Sequence, residues 1–374
     1  MTEPTIPMLP IHKGTFFAHN VPNLVLHEMD EAVQMSVSIG SSYIAAGVRL
    51  IPDKEQKITI RIDQFAKSIK AFARPEAVWG MLPTIHVYIY TQNDRGTEYL
   101  YTIIPGGIAI GRNTEELLTT GFLTWQPQQV ETTTDQPQYI TVVKSRQYSS
   151  LAISSRLTAT NGQTYTKEVE KINTADSYHQ ISVGFRDIWA SFCVENNLTP
   201  LSYDVFGTAT LSDGTTKTPR PYPQRYILRA PKYNDTCFGF VNTLGGFDTF
   251  MATGKIILKP QGDIQTFVNG NEETEVENDY TSHWEASTGH IDTERMAMLI
   301  QDFLKSSERW LLANNTWQKI IVDEYKVEHT ALELNAYTFK YHLAKKDEHR
   351  YFQRQDLPEV KLPTQYFKHD DIAI

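Results

Sequence analysis

The chain contains few of the residues on which whole classes of protein depend. Only two cysteines occur among 374 residues, Cys193 and Cys237, and each has apolar neighbours. They allow one disulfide at most, and buried free thiols fit these surroundings better. The sequence therefore gives no support to a disulfide-stabilised scaffold and suits a reducing cytoplasm.

Runs of basic residues and long apolar runs are also missing. The net charge is −9, from 44 acidic and 35 basic residues, whereas nucleic-acid binding without sequence preference needs Lys and Arg to neutralise phosphates. No apolar run approaches the roughly 20 residues of a membrane-spanning helix. The first residues lack the basic and apolar regions of a signal peptide. We expect a soluble protein without direct nucleic-acid contact or membrane insertion.

Motifs that indicate an enzyme or a metal site are not found. There is no G-x-S-x-G elbow, and neither cysteine has a catalytic surrounding sequence. The glycine-rich stretch 106–111 lacks nucleotide-loop spacing and predicts a turn in a β domain. His283 and His290, with Glu285 and Asp292, are the nearest approach to a metal cluster, but no helical His-x-x-x-His pair exists. We expect no enzymatic activity, no cofactor and no metal.

The sequence is rich in the alternation of apolar and polar residues that is typical of β-strands. Runs 85–90 and 99–104 flank a polar tip that contains Asp94 and Gly96, which predicts a hairpin. Two further hairpins are predicted at 151–172 and 205–218, with Asn-Gly and Asp-Gly turns. Strands at intervals of about 8–12 residues indicate antiparallel β-sandwiches. The predicted fold is mainly β, with two or three sandwich-like domains.

Helices are expected at few places. Apolar residues at helical spacing predict helices at 62–72 and 292–304, and the segment 187–196 is ambiguous between helix and strand. A polar stretch at 126–137 and an acidic stretch at 270–285, predicted as a mobile loop, mark domain boundaries. The expected units are an N-terminal β domain with one short helix at 1–128, a central β domain at 137–270 that contains the Gly245-Gly246 hairpin, a small α/β portion at 286–345 and an extended arm at 346–374.

The most informative segment is 237–254, CFGFVNTLGGFDTFMATG. Apolar residues at near-alternate positions on both sides of a Gly-Gly pair predict two strands joined by a tight turn. Glycine suits a turn with positive φ because a Cβ would clash there. Short polar side chains beside the turn can bond to backbone N–H groups. We therefore predict a structural turn formed by Asn242, Gly245, Gly246 and Asp248.

The same segment resembles uncharacterised structural proteins of Bacteroidetes phages and prophages. The pattern Phe-x-Asn-x-x-Gly-Gly-x-Asp-Thr-x-x-x-x-Gly is matched by Phe240, Asn242, Gly245, Gly246, Asp248, Thr249 and Gly254. A Phe-x-Thr-Trp-x-Pro sequence at 122–127 and a Gln-Pro-x-Tyr-Ile sequence at 136–140 also resemble those proteins. The opening at 16–22 departs from their pattern by a valine before the proline. The resemblance carries no catalytic residues.

This resemblance implies a structural subunit of a phage tail or baseplate. Such a subunit would assemble in the host bacterial cytoplasm, reside in the virion, and contact copies of itself and other virion tail proteins in a symmetric assembly. Tyr and Arg are enriched at interface hot spots, and two segments, 218–233 and the C-terminal arm, are least able to fold inward. They supply the predicted interface residues, which are Tyr222, Arg225, Tyr226, Tyr233, Tyr351, Phe352, Tyr366 and Phe367.

Alternatives remain open on the sequence alone. The tyrosines of 218–233 could instead lie half buried against a sheet. A carbohydrate-binding or adhesin-like surface module is an alternative function, and its mark would be an exposed aromatic platform. A hydrolase is a third, and it would need a concave pocket with perturbed titratable groups.

Overall fold

The structure, a computed structural model, describes residues 14–91, 96–109, 114–144, 148–211, 213–214, 217–219, 222–269, 272–291, 293–327 and 335–344. Strand accounts for 52% and helix for 11% of it, so the mainly β prediction is confirmed. None of the helices in the described ranges has the length and apolar character needed to cross a membrane.

Strands follow one another along almost the whole chain. In the N-terminal third they are β1 (Gly14–Phe17), β2 (Leu24–Leu26), β3 (Val33–Ile39), β4 (Ser42–Leu50), β5 (Ile58–Ile60), β6 (Val78–Met81), β7 (Thr84–Tyr90), β8 (Thr97–Ile104) and β9 (Gln129–Thr132). In the middle they are β10 (Tyr139–Lys144), β11 (Tyr148–Ala159), β12 (Thr164–Ile172), β13 (Ser177–Ser182), β14 (Pro200–Leu211), β15 (Lys217–Pro219) and β16 (Gln224–Leu228). The remaining strands are β17 (Thr236–Val241), β18 (Phe247–Ala252), β19 (Ile256–Asn269), β20 (Glu272–Ser287), β21 (Arg309–Ala313), β22 (Thr316–Lys326) and β23 (Thr338–Leu343).

The helices are short, with one exception. They are α1 (Ile62–Ala66), α2 (Thr114–Thr120), α3 (Phe185–Ile188), α4 (Ala190–Glu195) and α5 (Glu294–Lys305). α1 ends earlier than the sequence predicts because the next backbone bonds, such as Ser68 N to Phe65 O at 3.2 Å, reach back three residues instead of four. The ambiguous segment 187–196 lies in the helical pair α3 and α4.

The N-terminal part is built on a five-stranded sheet in the order β1-β8-β7-β3-β4. The predicted hairpin of β7 and β8 pairs antiparallel, whereas β1 pairs with β8 in parallel. The small sheet β2-β5 and helix α1 cover one face of this sheet. Alternating side chains of β7, namely Ile85, Val87 and Ile89, are buried in the core between them.

The central part is a sandwich of two sheets. A six-stranded sheet in the order β12-β11-β14-β16-β9, with β15 beside β14, faces the three-stranded sheet β10-β13-β6. Ile153, Leu157 and Val205 of the first share one buried cluster with Ile140 and Ile181 of the second. β9 and β16 pair in parallel, and the other pairs of this sandwich are antiparallel.

The C-terminal part is a seven-stranded sheet in the order β18-β17-β21-β22-β23-β20-β19, with α5 packed on it. Phe303 of α5 lies among Phe238, Phe240, Phe250 and Phe339, with ring centroids 4.9–5.7 Å apart. Helix α5 begins after Thr293, whose side chain accepts a hydrogen bond from the Met296 N–H at 3.2 Å.

The acidic stretch at 270–285 is not the loop that its composition predicts. Residues 272–287 form strand β20, which pairs with β19 from Ile256↔Ala286 to Asn269↔Glu272. Only residues 283–287 of β20 pair with β23, its other neighbour. The loop prediction was wrong because it weighed charge and not the alternation that continues through Thr274, Val276 and Tyr280.

Beyond its base, this hairpin is a two-stranded ribbon. We call residues 260–282 of β19 and β20 the ribbon, because in the described structure they pair with each other and with no other strand. At about 3.3 Å per residue, its longer strand extends roughly 35 Å from the sheet. An isolated pair of strands is marginally stable in water.

A fourth buried cluster joins the three parts. It contains Phe17 and Ile104 from the N-terminal sheet, Val143 and Tyr178 from the central sandwich, and Leu244 beside the C-terminal sheet. We call this cluster the junction core. The Gly-Gly segment contributes Leu244 and Phe247 to the junction core.

Candidate functional site

The Gly-Gly segment forms a hairpin between β17 and β18. The strands pair from Thr236↔Ala252 to Val241↔Phe247. Asn242 N–H donates to Gly246 O at 2.9 Å, and Gly245 N–H donates to Asn242 O at 2.9 Å. Gly245 has φ +83°. A three-residue loop that ends on a left-handed residue is one of the common hairpin connections, and it requires glycine at that place.

Both glycines are also sites of close backbone approach. A Cβ on Gly245 would lie 1.6 Å from Pro105 O, and a Cβ on Gly246 would lie 2.0 Å from Leu123 O. Gly246 has no positive φ, so crowding alone requires glycine there. The turn therefore packs closely between the backbone at Pro105 and the backbone at Leu123.

The two polar residues of the predicted turn belong to one buried network. The carboxylate of Asp248 accepts hydrogen bonds from the Thr124 hydroxyl, the Trp125 N–H at 2.9 Å and the Asn242 amide at 2.8 Å. The same amide donates to Leu123 O at 2.9 Å, and the Asn242 Oδ1 accepts from Gly246 N–H at 2.9 Å. The network fastens the hairpin to the segment 122–125, which also carries part of the family resemblance.

Burial sets the electrostatics of this network. Asp248 is completely buried, and desolvation raises the pKa of its carboxyl to about 6 although three donors face it. Desolvation also raises the pKa of Asp302, whose Oδ2 accepts from Thr243 N–H at 2.9 Å. Three donors are committed to the completely buried Asp248 carboxyl, so its role in the described structure is to hold the hairpin against the segment 122–125.

The predicted interface residues of 218–233 divide into two groups. Tyr222 and Tyr233 are 69% and 81% exposed. Tyr226 is completely buried, stacks on Tyr203 with centroids 4.9 Å apart, and donates its hydroxyl to Gln126 Oε1 at 3.3 Å. Tyr226 is therefore a core residue and not available to a partner.

Arg225 is committed within the chain. Its guanidinium donates to both carboxylate oxygens of Asp204, at 2.7 and 3.1 Å, and Arg156 donates to the same group at 3.0 Å. Burial alone would raise the pKa of Asp204, but these bonds outweigh it and lower that pKa. The arm residues Tyr351, Phe352, Tyr366 and Phe367 lie outside the described residues.

An edge strand carries apolar residues that sequence reasoning did not select. β4 is the last strand of the N-terminal sheet, and seven of its nine residues are exposed while the other two are half-buried. Tyr43 is 68%, Ile44 46% and Val48 38% exposed, and Ile51 just after the strand is 74% exposed. An edge strand with free backbone groups and exposed apolar side chains is suited to pairing with another chain.

A large open cleft of about 1240 Å³ lies beside the Gly-Gly hairpin. Its walls include Lys70, Arg74, Trp79, Glu308 and Trp310. Trp79 is 69% exposed and stacks on His179, with ring centroids 6.3 Å apart. An exposed indole in a cleft with charged walls is able to stack on a flat apolar ligand face.

A histidine pair that sequence reasoning missed lies at the base of the ribbon. His283 Nδ1 is 3.0 Å from Asp323 Oδ2, and His342 Nδ1 is 2.8 Å from Asp323 Oδ1. His290, which the sequence places near His283, is not in this group. Strand pairing brings together residues nearly 60 positions apart, and no local motif signals that proximity.

Comparison with known proteins leaves the family open. No protein-family model matches the chain, and no curated protein matches it significantly. A chain of a structure described as "Virion of native gene transfer agent (GTA) particle" is similar, with a TM-score of 0.22, 8% identity and coverage of 31% of this chain and 95% of that chain. A chain of "Tail of empty GTA particle computed with helical refinement, C6 symmetry" gives a TM-score of 0.22, 9% identity and coverage of 31% and 96%. Similarity this weak decides neither fold nor function.

Proposed function

We propose that the protein is a non-enzymatic structural subunit of a phage tail or baseplate, which acts through interfaces with copies of itself and other virion tail proteins. The phage assignment rests on the sequence resemblance, whose Gly-Gly and Phe-x-Thr-Trp-x-Pro elements meet at the Asp248 network. The described surface supports interface formation as the mode of action.

The observation that carries this proposal is the ribbon. Its two strands pair with each other, and no other strand of the described chain pairs with the outer edge of either one. A pair of strands this long gains stability when it packs or pairs with further structure. A second copy of the chain supplies such structure in a symmetric assembly.

The exposed edge strand β4 supports the same proposal. Its apolar side chains Tyr43, Ile44 and Val48 would be buried by a neighbouring copy, which turns an aggregation hazard into a specific contact. Tyr222 and Tyr233 remain proposed contact residues because they are exposed aromatic side chains.

The test removes the ribbon and leaves its base. Residues 261–281 are replaced by Asn-Gly, which joins the paired positions Pro260 and Ser282 through a two-residue turn. We expect a folded protein with a nearly unchanged melting temperature that no longer enters its assembly. Sedimentation velocity of the purified protein, alone and with particle components, measures this. Val194→Ser, at an 82% exposed position of α4, is the matched surface control.

A full-length protein that stays monomeric and joins no particle would contradict the proposal. It would also favour the second candidate, a carbohydrate-binding module, for which the exposed Trp79 in the large cleft is the specific observation. In that case Trp79→Ala, and not removal of the ribbon, would abolish retention on a glycan surface.

A further inference from the structure

We propose that His283, His342 and Asp323 bind one divalent transition-metal ion, of which zinc is the representative. The possible ligand atoms of the three side chains all lie within 4.8 Å of one another. Two imidazole nitrogens and one carboxylate oxygen form a ligand set that zinc and its neighbours in the first transition row accept, and water completes the coordination. Magnesium and calcium, which prefer oxygen ligands, fit this set poorly.

The backbone explains why the three residues meet. His283 of β20 pairs directly with His342 of β23, so both side chains leave the same face of the sheet. On the other side of β23, the register of β22 shifts between Val322 and Glu324, which makes Asp323 the extra residue of a β-bulge. Bulges redirect side chains and are frequent beside functional sites.

The bulge has a further effect on the charges of this face. Glu324 takes the position opposite Lys340 and forms an ion pair with it at 2.6 Å. Because Glu324 satisfies this lysine, the extra carboxylate of Asp323 faces only the two imidazoles in the described structure. The nearby Glu285 forms an ion pair with Lys259, and Lys340 interacts with both Glu324 and Glu285. The two acidic and two basic side chains around the group therefore balance in charge.

Access and ring orientation suit an ion. The three side chains are 25%, 25% and 30% exposed, so an ion can enter from solvent. Each histidine directs its Nδ1 at the same carboxylate, and the two ring centroids are 5.4 Å apart. A metal ion would lie between each Nδ1 and the carboxylate, because an imidazole binds a metal through an unprotonated nitrogen.

The location gives the ion a structural role. Among the residues of β20 that pair with β23, His283 is the one next to the ribbon. An ion bound there would link the base of the ribbon to β22 and β23 and fix the direction in which the ribbon leaves the sheet. The inference stands on these three strands alone and does not depend on the proposed function.

The test is a zinc titration of the full, untagged chain after treatment with a chelator. We expect one zinc per chain by calorimetry, with at least a tenfold loss of affinity in His283→Ala, His342→Ala and Asp323→Asn. His290→Ala is the matched control, because it removes a nearby exposed histidine outside the group and should leave the affinity unchanged. Zinc should also raise the melting temperature of the wild type and not of His342→Ala.

Cobalt provides a second readout that does not depend on stability. Co²⁺ in place of zinc should give a visible absorption band with the wild type and with His290→Ala, and none with His342→Ala. Equal zinc binding by the wild type and by all three site variants, or no binding by the wild type, would reduce the group to an ion pair and overturn the proposal.

Discussion

At the scale of single residues, Gly245 and Gly246 illustrate two different reasons why a position requires glycine. Gly245 is in the left-handed region, and a Cβ there would also clash with Pro105. Gly246 has no positive φ, so the clash of a Cβ with Leu123 is what requires glycine there. The sequence predicts glycine at both places from positive φ alone, and it could not foresee the contacts because they come from segments more than 100 positions away. Tertiary packing, and not turn geometry, therefore dominates the requirement.

Alanine substitutions test this division. Gly162 provides the matched control, because it has φ +81° but no atom lies within 4 Å of the place that a Cβ would occupy. We expect Gly162→Ala to cost about 1 kcal/mol of unfolding free energy, the penalty of a left-handed residue. Gly245→Ala and Gly246→Ala should each cost about 3–5 kcal/mol, since a backbone segment must move. Chemical denaturation measures all three, and equal losses at Gly162 and Gly246 would contradict the crowding argument.

Asp248 makes stability depend on pH in an unusual direction. Its pKa is about 6 in the folded chain and near its ordinary value of 3.8 when unfolded. Between these values the folded state holds the proton that the unfolded state releases. The contribution of Asp248 is therefore fully present below about pH 4 and is lost as the pH rises through 6, by about 3 kcal/mol in all.

We expect Asp248→Asn to remove this dependence. Its amide can donate to the Thr124 hydroxyl while its oxygen accepts from Trp125 and Asn242, so the fold should persist. The difference in unfolding free energy between variant and wild type should grow in favour of the variant from pH 4 to pH 6.5. Asp53→Asn is the control, because hydrogen bonds from the Lys57 and Glu55 backbone lower the pKa of Asp53 and its contribution is therefore already complete above about pH 4. The control should show a nearly constant difference from the wild type over this range, and an equally constant difference for Asp248→Asn would refute the buried-carboxyl argument.

At the scale of elements, alternation and turn residues predicted most of the sheet structure. The hairpins β7–β8, β11–β12 and β14–β15 are marked by local sequence, because a strand and its partner lie close along the chain. The parallel pairs β1–β8 and β9–β16 were not foreseeable, since nothing local links strands more than 80 positions apart. β20 was misread for a different reason: its acidic and polar residues have the composition of a loop.

The same distinction applies to the candidate sites. The Asn242–Asp248 turn was predictable because its residues are neighbours in sequence, although the Thr124 and Trp125 partners of Asp248 were not. The Asp323 bulge and the pairing of His283 with His342 depend on strand register, which one sequence does not specify across distant strands. Burial of Tyr226 likewise follows from a strand pairing and not from its polar, proline-rich surroundings.

At the scale of the whole molecule, the junction core makes three sheets interdependent. Leu244 is buried in it at the tip of the Gly-Gly hairpin, beside Phe17, Ile104 and Tyr178, which come from the other two parts. A subunit that transmits load between neighbours in an assembly benefits when its parts do not unfold separately. We therefore expect the three sheets to unfold cooperatively if the proposed function is right.

We expect the N-terminal, central and C-terminal parts of the wild type to unfold together in one calorimetric transition. In Leu244→Ala we expect this transition to split. Leu299→Ala is the matched control, because Leu299 is equally buried but packs only within the C-terminal cluster. Both substitutions should cost about 2–5 kcal/mol, the range for a buried leucine. The control should lower the melting temperature and keep one transition, whereas Leu244→Ala should give a broadened or double one. Two transitions already present in the wild type would show that the junction core does not couple the sheets.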